Sequence, residues 1–394
     1  MKILTFSSLY PNAQQTSHGI FVENRLRHLR AFAPDISVQV VAPVPWFPFR
    51  GPMFGSYAKF ADIAAHEQRH DIEVWHPRYP VIPKVGMRIA PWLMYRAVRS
   101  EVRRLCDAGF DFDLIDAHYF YPDGVAAMHL AAEFGRPFVV TGRGTDLNLI
   151  PRYAGPRRQI VEVTRKAAHL ITVAAALKGY LRDLGVPEGC VTVLRNGVDL
   201  GFFHPATARP ALRERLGIEG RITLLSVGHL IERKGHHLVI EAMRDLPQMD
   251  LVIAGDGPEE GALRDLVAQL SLHDRVRFAG RLSQERLREH YQAADALILA
   301  SSREGWANVL LESMACGTPV VATPVDGTPE VVAAADAGRL TRERSPTAIV
   351  AALQALFADP PARDATRRYA EGFSWQTTSQ GQIEIFRRIL AVAE

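Results

Sequence analysis

Short β-rich runs alternate with amphipathic helical periods along this chain, and the rhythm begins twice. Strand–helix–strand units of that kind close into parallel sheets with helices on their faces. In the first half, the apolar and β-branched runs predict strands near residues 2–6, 37–42, 72–75, 114–118, 138–141, 170–173 and 191–194. Helical periods lie between them at about 20–32, 88–106, 124–134, 157–167 and 175–184; Val22, Leu26, Leu29 and Ala33 recur at spacings of 4, 3 and 4 along one face of the first. Asn196-Gly197-Val198-Asp199 and His204-Pro205 read as a linker. Strands then resume near 223–227, 251–254, 276–278, 296–299 and 320–322, with helices starting near Lys234, Glu259, Gln284 and Asn308. The expected fold is α/β, with two Rossmann-like doubly wound domains, 1–200 and 201–375. A last helix, from about 376 toward 394, is expected to cross back onto the first domain. The carboxyl ends of the two sheets are expected to face each other across a cleft, where open parallel sheets bind ligands.

Composition narrows the class. With 394 residues, 47% hydrophobic and 23% charged, the chain fits two folded domains and excludes wholesale disorder. Cys106, Cys190 and Cys316 are far apart and form no CxxC, which excludes a disulfide framework or a Cys-rich zinc site. No run of about 18 apolar residues is present to span a membrane. The apolar start at 1–6 ends by Ser7, which suits a first strand better than a signal peptide and leads to the expectation of a cytoplasmic protein. Residues 1–200 hold 24 Lys and Arg against 18 Asp and Glu; the remainder holds 22 against 25. A basic first half points to an anionic partner or a membrane surface on that side.

The segment Ala300-Ser301-Ser302-Arg303-Glu304-Gly305-Trp306-Ala307-Asn308-Val309-Leu310-Leu311-Glu312 carries the densest chemistry. A buried strand ends at Ser301, a loop bears Glu304, and a helix starts near Asn308 and ends at Gly317. Free N–H groups at about Asn308, Val309 and Leu310 offer a phosphate site. Glu312, one turn in, has a carboxylate able to accept from paired sugar hydroxyls. Two glutamates eight apart are also the common pattern of a loop acid and a first-turn acid.

Glu304-x7-Glu312 followed by Met314-Ala315-Cys316-Gly317-Thr318-Pro319-Val320-Val321 resembles the donor-site signature of the family-4 retaining glycosyltransferases, which have the GT-B fold. Ser226-Val227-Gly228-His229-Leu230-Ile231-Glu232-Arg233-Lys234-Gly235, Gly255-Asp256-Gly257-Pro258, Phe278-Ala279-Gly280-Arg281 and the 196–205 linker resemble further parts of that family in the same order. The resemblance implies a nucleotide-sugar donor, with UDP and GDP both open. Glu312 would take the ribose, with Arg281 and Leu282 near the base. Lys234, Arg233 and the Asn308 helix start would hold the diphosphate, and Glu304 the sugar hydroxyls. Lys234 and Arg233 would stabilise charge on the departing phosphate. Where the family usually has Arg, this chain has His229; either Arg233 substitutes or the diphosphate is held less strongly above neutral pH. Ala307 stands where Gly is common.

In the first domain, Ser17-His18-Gly19-Ile20 resembles the family's glycine loop over the donor phosphates, which implies a backbone contact at Gly19. His118 ends a buried strand and would position the transferred sugar; Arg143 and Asp146 lie in a segment resembling the acceptor side. Asp111-Phe112-Asp113 precedes its strand and reads as a solvated turn, and the histidines show no metal-ligand spacing, so catalysis without a metal or other cofactor is expected. Residues 45–60 mix aromatics with basic residues, and 88–104 is a basic helical pattern holding Trp92, Leu93 and Met94. Together they suggest peripheral contact with anionic lipid at the inner membrane face and a lipid-linked acceptor; the other reading is core aromatics with a solvated basic face.

The resulting expectation is a retaining hexosyl transfer from a nucleoside-diphosphate sugar to a hydroxyl acceptor, lipid-linked or oligosaccharide, with no nucleic-acid partner. A nucleotide-sugar epimerase or hydrolase and a non-catalytic nucleotide-sugar-binding protein remain as alternatives. A dehydrogenase is disfavoured because the first βα turn lacks GxGxxG.

Overall fold

A computed structural model of the chain describes residues 1–47, 53, 58–81 and 86–393. Two compact units result: Met1–Arg195 with Trp375–Glu394, and Asn196–Ser374. The first domain therefore ends five residues before the expected boundary. Asn196 and Val198 belong to the second unit, where Trp306 Nε1 donates to Asn196 O (3.1 Å) and Val198 N donates to Phe373 O (3.0 Å).

The first unit is built on an eight-stranded sheet in the order β10 (Val191–Val193), β9 (His169–Thr172), β8 (Phe138–Gly142), β7 (Leu114–His118), β1 (Lys2–Phe6), β2 (Ser37–Val41), β5 (Ile72–Trp75), β4 (His66–Arg69). Neighbours are parallel except β4, which returns antiparallel along β5. A parallel pair, β3 (Val44–Trp46) and β6 (Arg78–Pro80), lies apart from that sheet. Helix Ile20–Phe32 buries Val22, Leu26 and Leu29, the stripe its spacing requires. Ile383, Ile385 and Phe386 of the closing helix, Trp375–Ala393, share that core, and the Trp375 and His28 rings stack 5.3 Å apart.

The second unit has six parallel strands in the order β13 (Val276–Gly280), β12 (Met249–Ala254), β11 (Ile222–Val227), β14 (Ala296–Leu299), β15 (Val320–Ala322), β16 (Gly338–Leu340). In sequence order this is 3-2-1-4-5-6, the Rossmann arrangement, whose connections reverse direction between β11 and β14. The crevice beyond the carboxyl ends of those two strands is the place this topology provides for a ligand. In the first sheet the corresponding reversal lies between β1 and β7.

Among the described residues no helix is long and apolar enough to cross a membrane.

Candidate active site

The loops leaving β11 and β14 meet at the reversal point. After β11, a short 3₁₀ turn, Glu232–Lys234, ends at Gly235 with φ +71°. A Cβ on Gly235 would lie 2.1 Å from Ala300 O, so only glycine lets this turn rest against the end of β14. Lys234 thus closes a 3₁₀ turn rather than opening a helix, which begins at His236. Its Nζ donates to Glu304 Oε1 at 2.5 Å, Ser301 Oγ donates to the same oxygen at 2.7 Å, and Arg233 Nη1 lies 3.6 Å away.

The surrounding backbone is fixed from several sides. Arg233 Nη1 donates to Arg303 O (2.9 Å), and Ser302 N to Arg233 O (2.8 Å). Glu304 N donates to Asp326 Oδ2 (2.9 Å). Arg344 donates to Ala300 O (2.9 Å) and Glu232 O (2.8 Å), tying both loops together. Burial pushes the Glu304 carboxyl up, but Lys234 and Arg233, with the bonds from Lys234 and Ser301, outweigh it and hold it below the usual glutamate value. Glu304 is therefore an ionised acceptor at neutral pH. Its Oε2 has no partner among the described residues, and Lys234 keeps two further donors.

Helix Asn308–Ala315 follows Glu304. Of its first three N–H groups, Asn308 N already donates to Trp306 O (3.1 Å) and Leu310 N to Ala307 O (3.1 Å). The expected three-donor phosphate site is accordingly narrower: Val309 N–H is the one without a partner among the described residues. The Leu310 side chain belongs to the core, and Asn308 Oδ1 accepts from Asn196 Nδ2 (3.2 Å). Glu312 lies four residues on, on the same helix face as Asn308. Its carboxyl is pushed up to about 7 by burial, opposed by a 2.9 Å hydrogen bond that Tyr291 Oη donates to Oε2.

Arg281 and Leu282 follow the end of β13, Arg281 exposed and Leu282 half-buried. His229 is exposed beyond β11, with Nδ1 against Asp256 O. Since that carbonyl can only accept, Nδ1 carries a proton, and Nε2 donates to a phosphate oxygen only in the doubly protonated ring. Ser301, Asp326, Arg344 and Tyr291 were not picked out by the sequence. Ser301 alone carried a signal, as a hydroxyl at a strand end.

In the first unit, Gly19 caps helix Ile20–Phe32 at φ +67°, and a Cβ there would lie 2.2 Å from the Leu9 carbonyl. His118 ends β7 fully buried. Arg143 Nη2 lies 2.6 Å from its Nδ1; arginine only donates, so the ring proton sits on Nε2, 3.3 Å from Asp116 Oδ2. Burial, opposed by Asp116 and aided by Arg143, lowers His118 to about 4. Its ring is thus neutral and both nitrogens face protein groups. Asp146, also fully buried, accepts from Phe120 N (2.8 Å), Gly144 N (2.8 Å) and Arg143 N (3.0 Å), so its carboxylate shapes the loop that carries Arg143. Asp113 caps the β1 start by accepting from Lys2 N (2.7 Å), and Asp111 pairs with Arg136 (2.7 Å).

Comparison with known proteins agrees with this architecture. The profile described as glycosyl transferases group 1 matches residues 208–373, and that of glycosyltransferase family 4 matches 57–202. A D-inositol 3-phosphate glycosyltransferase of Kineococcus radiotolerans is 32% identical over 317 residues, 70% of this chain and 72% of that protein. A putative teichuronic acid biosynthesis glycosyltransferase of Bacillus subtilis is 28% identical over 335 residues, 83% of this chain and 82% of the relative. Among solved structures, sucrose-phosphate synthase from Thermosynechococcus elongatus superposes with TM-score 0.81 at 21% identity, covering 99% of each chain. Anabaena HepE in complex with UDP superposes at 0.74 and 22% identity, covering 98% of this chain and 99% of that one. The fold is GT-B, and the chain belongs to the family-4 glycosyltransferases. It is a glycosyltransferase.

Proposed function

We propose that this glycosyltransferase moves a hexosyl unit from a UDP- or GDP-sugar to a hydroxyl acceptor with retention of anomeric configuration, and without a metal. The Lys234–Glu304 pair at the reversal of the second sheet carries the reading. Cleavage of the bond between the sugar C1 and the diphosphate oxygen leaves negative charge on the departing phosphate. Lys234, Arg233 and the Val309 N–H supply fixed positive charge for it, and groups already oriented need no reorganisation during the reaction. Glu304 Oε2 accepts from sugar hydroxyls, and Glu312 Oε1 from the ribose. The acceptor oxygen bonds to C1 on the face the phosphate leaves, and its proton passes to the departing phosphate oxygen. Glu304 is too strongly paired with two cations to serve as the proton donor.

The HepE complex with UDP supports a nucleotide-sugar donor by analogy of fold. On the first unit, we assign Arg143 to the acceptor side. His118 enters as the neutral ring that holds Arg143 in place, and Asp146 as the anchor of its loop. The test is Glu304→Gln, which should leave UDP or GDP binding intact while turnover falls about a hundredfold or more. Unchanged turnover removes Glu304 from the site.

Peripheral contact with anionic lipid belongs to the same reading. No acid occurs between Glu73 and Glu101 or between Asp146 and Glu162, whereas Arg78, Lys84, Arg88, Arg96, Arg99, Arg152, Arg157 and Arg158 do. The two stretches adjoin: Gln159 Nε2 donates to Arg88 O at 3.3 Å. Met87, Ile89, Trp92 and Tyr153 are exposed among these cations, and Arg96 lies over the Trp92 ring at 5.4 Å. Exposed apolar side chains among cations from two acid-free stretches of sequence suit a lipid headgroup boundary. Met94, by contrast, is buried, and Arg99 and Arg103 pair with Glu133. Pro48, Phe49, Arg50 and Tyr57 of the aromatic stretch lie outside the described residues.

A further inference from the structure

We propose that Tyr291 is a positioning residue for nucleotide recognition: its hydroxyl holds one oxygen of Glu312 so that the other is aimed at the ribose. The inference rests on the assignment of Glu312 to the ribose and adds a residue that touches no substrate.

The geometry is specific. Tyr291 lies in helix Gln284–Ala293, Glu312 in helix Asn308–Ala315, and the hydroxyl donates to Oε2 at 2.9 Å. Oε1 has no partner among the described residues, so the carboxylate is half satisfied from within the unit. Tyr291 itself has little freedom. It is fully buried, Thr318 Oγ1 donates to its carbonyl at 2.6 Å, and the Phe203 ring meets it edge-on with centroids 6.0 Å apart. The hydroxyl is thus a fixed point.

Glu312, half-buried, has three side-chain torsions and without this tether samples several rotamers. One tethered oxygen leaves the carboxylate plane set before the nucleotide arrives, so the ordering cost falls on folding and not on binding. A tyrosine needed only for packing has no reason to end on that carboxylate.

Calorimetric binding of UDP and GDP is compared with that of their 2′,3′-dideoxy forms, on the wild-type chain, Tyr291→Phe, Glu312→Ala and the double variant. Wild type should prefer the better ribonucleotide over its dideoxy form by about tenfold or more, the range of hydrogen bonds to a charged group. Tyr291→Phe should reduce that preference to about threefold or less while dideoxy affinity stays constant. Glu312→Ala should abolish the preference, and adding Tyr291→Phe should then change nothing. A wild-type chain indifferent to the ribose hydroxyls overturns the Glu312 assignment, and the inference with it. Wild-type preference retained in Tyr291→Phe overturns the inference alone. Equal weakening of both ligand forms in Tyr291→Phe assigns the residue to packing and likewise overturns it.

Discussion

Lys234 Nζ and Glu304 Oε1 stand 2.5 Å apart across 70 residues of sequence, joining the loop after β11 to the loop after β14. Both side chains are largely shielded, at 15% and 10% exposure, so the pair is a fixed feature and not a surface ion pair. It lies where the strand order of the second sheet reverses, with Arg233 Nη1 3.6 Å from the same carboxylate oxygen and Asp326 Oδ2 accepting from Glu304 N at 2.9 Å.

The pair should make stability acid-sensitive. Glu304 has a folded value below its unfolded one, so its contribution is present above about pH 4.5 and is lost as pH falls through the folded value. Thermal melts of wild type from pH 7 to 3 should show a drop that is shallower in Glu304→Gln. Parallel curves would contradict the pairing.

Glu312 makes the opposite prediction for binding. With its carboxyl at about 7, the acceptor form grows as pH rises from 6 to 8. Binding of the preferred nucleotide sugar, whose phosphodiester groups do not titrate in this range, should tighten by up to about tenfold. Glu312→Gln should flatten the profile; an unchanged slope in that variant would refute the assignment. The raised value carries a stability cost: protonated Glu312 favours the fold below about pH 4.5, and this is lost as pH rises through 7.

Buried polar groups in the first unit depend on one amide. Gln382 accepts from Arg25 Nε (2.7 Å) and donates to Asp116 Oδ2 (2.8 Å), beside His118. Gln382→Leu removes the partner of Arg25 Nε and of Asp116 Oδ2, Arg25 keeping its bond to Leu194 O (3.2 Å), and should cost about 1–3 kcal/mol in urea unfolding. A loss within about 0.5 kcal/mol, the range of ordinary surface changes, would contradict this account.

The patch at Met87, Ile89 and Trp92 should sediment with phosphatidylglycerol vesicles and not with phosphatidylcholine alone, less so as salt rises. Trp92→Glu with Arg88→Glu should release the protein while leaving nucleotide binding unchanged. Equal sedimentation with neutral vesicles would count against the electrostatic reading.

What the sequence shows follows from how each element is stabilised. Buried parallel strands read as apolar runs, so Ile72–Trp75, Leu114–His118, Ala296–Leu299 and Val320–Ala322 are found at their ends. β4, His66-Glu67-Gln68-Arg69, is polar throughout and owes its place to pairing with β5, which no periodicity announces. β16 is three residues long and gives no pattern. In the site, Glu304 and Lys234 are reached through the resemblance of their segments to the family's donor-site signature, since a loop acid before a helix and a lysine after a strand are common patterns by themselves. Tyr291 reads as one more helix aromatic until Glu312 is seen beside it. Arg344 binds backbone carbonyls 44 and 112 residues away, which leave no trace in residue type.

The central claim is that the loops at the end of β11 and β14 hold a nucleotide diphosphate through Lys234. Calorimetric titration of UDP and GDP into wild type and Lys234→Ala, at equal salt and with melts confirming folding, tests it most directly. At least one nucleotide should bind wild type and lose about a hundredfold in affinity in the variant. Equal affinity for both proteins would contradict the account.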